Sequence, residues 1–167
     1  MTEHDFRQAF HDHKDSVYGF ALRMTGSVHV AEDVAQDCFV ELLRNPGRFD
    51  AARGSLRPFL LGVARNLVLR HWRTAARHDP IEDDLRGEAP DLTAGPVSIL
   101  IGAAVQSLPP LQREALVLFE YEGFTLDEIA KLVQADVGTV KSRLHRAREK
   151  LRYVLAPLKN GSGGTSE

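Results

Sequence analysis

One cysteine, one tryptophan and two methionines stand in a chain of 167 residues, and aromatic residues make up only 7% of it. A lone cysteine cannot close an internal bridge, which excludes a disulfide scaffold or a cysteine-rich zinc site and fits a reducing compartment. Long apolar runs are missing as well. No segment approaches the roughly 20 apolar residues of a membrane span, and the opening stretch MTEHDFRQAFHDHKD mixes charged with apolar residues where a secretory leader would be continuous. No membrane insertion is expected, and a cytoplasmic protein is. Catalytic signatures are absent too: there is no P-loop, no glycine-rich dinucleotide fingerprint, no HExxH, no paired cysteines and no GxSxG, so neither an enzyme nor a cofactor is expected. His4, His11 and His13 lie near Asp5, Asp12 and Asp15 in sequence, but His11 and His13 are two apart and leave a helix on different faces, so no metal site is expected.

Net charge is also low, at −2. A near-neutral total would argue against nucleic acid as a partner if the charge were evenly spread, and it is not. Residues 1–50 sum to −4, residues 51–78 to +6, residues 79–96 to −5, residues 97–137 to −4 and residues 138–167 to +5. Two basic blocks, each flanked by acidic stretches, give the chain two candidate anion-binding surfaces.

The apolar residues recur in steps of three and four, the spacing of helices with one buried face, and no segment reads as a strand. Phe6, Phe10, His13, Val17, Phe20 and Met24 define a first helix that stops at Gly26. A second helix begins near Ser27, turns Ala31, Val34 or Ala35, Cys38 and Leu42 inward and ends at Asn45-Pro46-Gly47. After the loop PGRFDAARGS, Ser55 caps a third helix reaching about residue 76, with Pro58 in its first turn and Leu56, Leu60, Val63 and Leu67 on one face. Cys38 reads as packing rather than redox chemistry, and Trp72 suits either the core or a stacked base. Residues 78–96 hold three prolines, two glycines and six acids without apolar period, the composition of an exposed linker. The expected fold is therefore all-α: two small helical domains, at 1–77 and 97–158, joined by an acidic flexible linker and followed by a flexible tail at 159–167.

The second domain carries the most specific pattern. An apolar helix over 97–108 is broken by Pro109-Pro110, and a further helix ends at Gly123. Thr125 with Glu128 forms a capping box for a short helix, and the turn Gln134-Ala135-Asp136 leads into a last helix whose inward face is Val137, Val140, Leu144, Ala147, Leu151 and Val154. Two helices, a tight turn and a second helix with an outer face rich in Lys and Arg make a helix-turn-helix, since the major groove, about 12 Å wide, admits one helix. The outer positions are Thr139, Lys141, Ser142, Arg143, His145, Arg146 and Arg148.

GTVKSRLHRAREKLR, preceded by LPPLQREALVLFEYEGFTLDEIAKLV, resembles region 4 of the extracytoplasmic-function (group 4) sigma factors of bacterial RNA polymerase, within the sigma-70 family. AEDVAQDCFVELLRN resembles their region 2.2, and RFDAARGSLRPFLLGVARNLVLRHWRTAAR resembles regions 2.3 and 2.4. The resemblance covers nearly the whole chain outside linker and tail. It implies a protein that binds core RNA polymerase and promoter DNA, with an anti-sigma factor as a further partner. By the same resemblance, Asp33, Gln36, Asp37 and Glu41 would dock on core polymerase. Arg48, Phe49, Phe59, Asn66, Arg70 and Arg73 would capture the melted −10 strand, Lys141, Ser142, His145 and Arg146 would meet the −35 duplex, with Thr139 and Arg143 of the outer face as further DNA-binding candidates, and no residue would be catalytic. Two departures stand out. Arg70 occupies a position where many family members carry Asp, which bears on −10 specificity, and Gln134-Ala135 replaces the usual Gly and branched aliphatic residue of the turn.

A stand-alone regulator binding its operator without polymerase is the rival reading. Against it, the N-terminal domain has an arginine-rich helix of its own, and two DNA-contacting domains on a flexible tether suit a bipartite promoter, where modest affinities multiply. The acids between Asp79 and Asp91 are expected to keep the free protein off random DNA.

Overall fold

The computed structural model describes residues 1–50, 52, 54–78 and 96–160. Seven α-helices and no strand occur among them. Helix α1 (Glu3–Thr25) starts at a capping box in which Thr2 accepts from the Asp5 amide and the Asp5 carboxylate accepts from the Thr2 amide. Ser27 caps α2 (Val28–Arg44), and Pro46–Arg48 forms a single 3₁₀ turn before α3 (Leu56–His78). The linker read at 78–96 lies, from residue 79 to 95, outside the described residues, as does the tail beyond 160. The second half consists of α4 (Val97–Gln106), α5 (Pro110–Leu116), α6 (Leu126–Val133) and α7 (Val137–Asn160). A π-helical turn, Val117–Tyr121, prolongs α5.

Helices α1, α2 and α3 pack on one another, and α4, α5 and α6 each pack on α7. Val17, Phe20, Met24, Ala31, Cys38, Leu42 and Leu60 fill the first core, while Leu116, Leu118, Ile129, Val140, Leu144 and Ala147 fill the second. The two cores run together as a single apolar cluster. Cys38 is fully buried and donates to the Leu60 carbonyl at 3.3 Å, and burial pushes its thiol pKa up to about 12, as fits a side chain that packs. Trp72 is half-buried against the core, with the Arg113 guanidinium 6.0 Å from its ring.

Three details differ from the sequence-based expectation. Phe10 is exposed, its ring meeting Phe39 edge-on at 5.0 Å from the rim of the core. On α3 the fully buried residues are Leu60, Leu61, Ala64 and Val68, one position round from the expected stripe, with Leu56, Val63 and Leu67 only partly covered. The cause is that α3 packs on three helices, two from its own domain and α6 from the other. Finally, α7 continues through Pro157 to Asn160, past the expected end near residue 155.

The halves meet along a polar seam beside this apolar contact. Arg113 donates to the carbonyls of Met24 in α1, of Gln106 at 2.7 Å and of Leu108 at 2.9 Å, so one buried guanidinium ties the end of the first helix to the second domain. Gln106 donates to the Arg23 carbonyl. Gly26 lies directly against it: its φ of +68° is a left-handed conformation, and an added Cβ would stand 2.8 Å from Gln106 Oε1. Arg65 in α3 donates to Glu114 in α5 at 2.6 Å. The π turn swings Glu122 into the seam, where its carboxylate accepts from Ser16 and from Arg57, each at 2.7 Å, while the Arg57 guanidinium lies over the Phe124 ring at 4.5 Å.

Gln134 occupies the left-handed position at the end of α6, with φ 56° and ψ 46°. A glycine there avoids the Cβ clash, about 1–2 kcal/mol, and gives back part of that in chain entropy. Gln134→Gly is therefore expected to stabilise the protein by about 0.5–1 kcal/mol, read as a higher urea midpoint at unchanged slope.

Candidate nucleic-acid interface

Three surfaces carry the predicted residues. On α2, Asp33, Gln36 and Asp37 are exposed and Glu41 is partly so. Asp33, Asp37 and Glu41 follow at steps of four and form one acidic row. His29 Nε2 lies 3.4 Å from Asp33 Oδ2, and Glu41 accepts from Asn45 at 3.1 Å and from Arg48 at 2.5 Å. The Arg48 hydrogen bond, with Asn45 helping, holds the Glu41 carboxyl below the usual carboxylate range.

The second surface is an open cleft of about 820 Å³ walled by the 3₁₀ turn and the first half of α3. Arg48, Phe49, Phe59 and Asn66 all line it, with the Phe49 and Phe59 rings 5.5 Å apart and inclined at 53°. A tilted aromatic pair beside an amide and a guanidinium can stack a flat heterocycle on one ring face, bond its edge and hold its phosphate. A neighbouring groove of about 520 Å³ holds Arg70 together with Asp37, Glu41, Arg48 and Asn66. Arg73 is exposed further along α3 and lines neither hollow. The far wall of the cleft comes from the other domain: Glu128, Lys131 and Leu132 of α6 complete it.

The third surface is the outer face of α7. Asp136 accepts from the Thr139 amide at 2.7 Å and so caps this helix. That bond lowers the Asp136 pKa, so the cap is charged at neutral pH, and its stabilisation fades only as acid takes the pH down through the lowered value. Lys141, Ser142, His145 and Arg146 are exposed along one side, with Thr139 and Arg143 partly covered. His145 Nε2 sits 3.1 Å from Glu149 Oε1. Arg148, which sequence spacing also assigns to the outer face, bends back to Glu120 at 2.6 Å and over the Phe119 ring at 5.2 Å, bracing α7 on its own domain.

Charge counting overstated the basic block at 51–78. Of its four arginines with described side chains, Arg57 and Arg65 belong to the seam between domains, and Arg70 and Arg73 point outward. Sequence reasoning also missed Glu114, Glu122, Arg113 and the α6 wall of the cleft. Each depends on a partner dozens of residues away, and no local pattern marks them.

Described elements that are all helical, with a helix-turn-helix in one half and an aromatic cleft in the other, have the architecture of a DNA-binding transcription protein. Residues 9–78 match the family model for Sigma-70 region 2, and residues 98–151 match that for Sigma-70, region 4. The chain is 36% identical over 157 residues to the ECF RNA polymerase sigma factor SigE of Mycolicibacterium smegmatis, an alignment spanning 86% of this chain and 59% of that relative. It is 34% identical over 158 residues to the RNA polymerase sigma factor CarQ of Myxococcus xanthus, spanning 92% of this chain and 90% of the relative. Among solved structures, the sigma factor RpoE of Bartonella quintana, crystallised with the anti-sigma factor NepR, superposes with a TM-score of 0.77 at 25% identity, covering 91% of this chain and 97% of that one. The chain belongs to the sigma-70 family, among its extracytoplasmic-function (ECF) RNA polymerase sigma factors. It directs RNA polymerase to promoters, and the reading as a polymerase-independent regulator is not favoured.

Proposed function

We propose that promoter selection is divided among the three surfaces: the acidic row of α2 docks on core polymerase, the Phe49–Phe59 cleft captures an unstacked base of the −10 strand, and the outer face of α7 reads the −35 duplex. The observation that carries this reading is the cleft, where Arg48, Phe49, Phe59 and Asn66, residues from two different elements, converge on a space that fits a base and its phosphate. Arg70 and Arg73 then hold backbone phosphates downstream of it. On α7, Lys141, Ser142, His145 and Arg146 reach the groove, with Thr139 and Arg143 beside them. Region 2 would occupy 1–77 and region 4 97–158, with the intervening segment as tether. The protein works in the cytoplasm, and an anti-sigma factor restrains it, as the Bartonella quintana complex supports.

In vitro transcription with purified core polymerase on random-fragment templates tests the reading. Initiation at defined sites that depends on this protein is expected, and its absence would sink the proposal. Arg146→Ala is expected to lower use of −35-dependent promoters about tenfold, as loss of one guanine or phosphate contact does. Core affinity, measured by anisotropy titration, should stay as in wild type.

A further inference from the structure

Arg48 stands on the ridge between two hollows. It lines the base cleft with Phe49, Phe59 and Asn66, and it lines the neighbouring groove with Asp37 and Glu41. Its guanidinium is not at rest there: Nη1 donates to Glu41 Oε1 at 2.5 Å. The same Glu41 oxygen accepts from Asn45 at 3.1 Å, so the carboxylate sits at the centre of a small clasp closing the end of α2 onto the 3₁₀ turn. Glu41 also ends the acidic row that begins at Asp33. One side chain therefore belongs at once to the surface facing a basic protein partner and to the restraint on a cation of the strand cleft.

We propose that Glu41 is a positioning residue that couples core docking to strand capture: it holds Arg48 in the free protein, and a basic polymerase side chain that takes the carboxylate releases Arg48 to a strand phosphate. The inference rests on the assignment of the α2 row to core polymerase and of Arg48 to the −10 strand. Its logic is competition. A phosphate arriving at Arg48 competes with a carboxylate already bonded to Nη1 and meets its negative charge, so the free protein holds single strands more weakly than it would without Glu41. A cation of the polymerase competes for the same oxygen from the other side. Because the two equilibria share one ion pair, the effect is reciprocal: core raises strand affinity by the factor by which strand raises core affinity. An ion pair this exposed supports a modest factor, about two- to fivefold. Such coupling would favour strand capture by protein already on polymerase over capture by free protein.

Glu41→Gln separates coupling from a merely structural clasp, because the amide still accepts hydrogen bonds from Asn45 and Arg48 while the charge is gone. The probe is a short fluorescein-labelled single strand carrying a −10 element mapped by transcription, titrated by anisotropy into free protein and into holoenzyme at several salt concentrations. Free E41Q is expected to bind the strand about two- to fivefold more tightly than wild type, with a salt dependence steeper by about one phosphate contact. That gain should vanish in E41Q/R48A and shrink in the holoenzyme, and E41Q should bind core less tightly. If free E41Q binds the strand no better than wild type, or binds core equally well, the coupling is overturned even though R48A weakens strand binding by holoenzyme. If R48A leaves strand binding by holoenzyme intact, the assignment of Arg48 has failed and the coupling falls with it.

Discussion

Replacing Glu114 with alanine is expected to part the two domains. The Glu114 side chain is 3% exposed and its partner Arg65 is 14% exposed, so the pair is nearly cut off from water. Deleting one member of such a pair leaves a buried charge without compensation, at a cost of about 3–5 kcal/mol. Here the chain has an escape that a core ion pair lacks. Arg65 belongs to α3 and Glu114 to α5, so undocking the halves rehydrates the guanidinium while each three- or four-helix core stays folded. The loss should therefore appear as opening, not as global unfolding. A compact chain of 167 residues has a radius of gyration of about 15 Å. Small-angle scattering should find wild type near that value and E114A several ångströms larger, with heat unfolding split into two transitions. The double variant Arg65→Met with Glu114→Leu, which swaps the pair for apolar groups of similar length, should return to the compact value. A scattering curve for E114A that overlays wild type would show that the apolar contact and the Arg113 bonds alone hold the seam.

The seam is also where sequence reasoning reaches its physical limit. The capping box at Thr125, the stop at Gly26 and the inward stripe Val140, Leu144 and Ala147 are written in residues three or four apart, and the fold bears them out. Arg57 and Glu122 are 65 positions apart and Arg65 and Glu114 are 49 apart. Nothing near Arg65 distinguishes it from Arg70, one an interdomain donor and the other exposed to solvent. Composition counted both as DNA-facing charge. The α3 stripe was displaced for the same reason: a helix covered by its own domain on one side and by α6 on another has no single apolar face to read. The cleft shows a mixed outcome. Arg48, Phe49, Phe59 and Asn66 were legible from the resemblance and do converge, whereas Lys131 and Leu132 enter only because the second domain docks beside them. The acidic linker, whose charge offsets the basic blocks, lies outside the described residues.

Phe59→Ala is expected to cut open-complex formation by about 10- to 100-fold, because base stacking on an aromatic ring contributes about 1–3 kcal/mol and Phe59 also supports the Phe49 ring 5.5 Å away. Phe59 is only partly buried, so its removal empties part of the cleft and leaves the first core, centred on Phe20, Met24, Leu42 and Leu60, in place. The variant should fold and bind core polymerase as wild type does. Its defect belongs to the strand, and that gives the sharper test. On a duplex promoter the variant must fail either because it cannot melt the −10 element or because it cannot retain the melted strand. A template mismatched across the −10 element removes the first requirement. If Phe59 stacks on a captured base, permanganate footprints and run-off yield on the mismatched template should remain depressed, because the lost contact is to the open strand itself. Phe59→Tyr, which keeps the ring, should restore most of the activity on both templates. Full recovery of Phe59→Ala on the mismatched template would assign the ring to duplex opening and leave the cleft without its role in base capture.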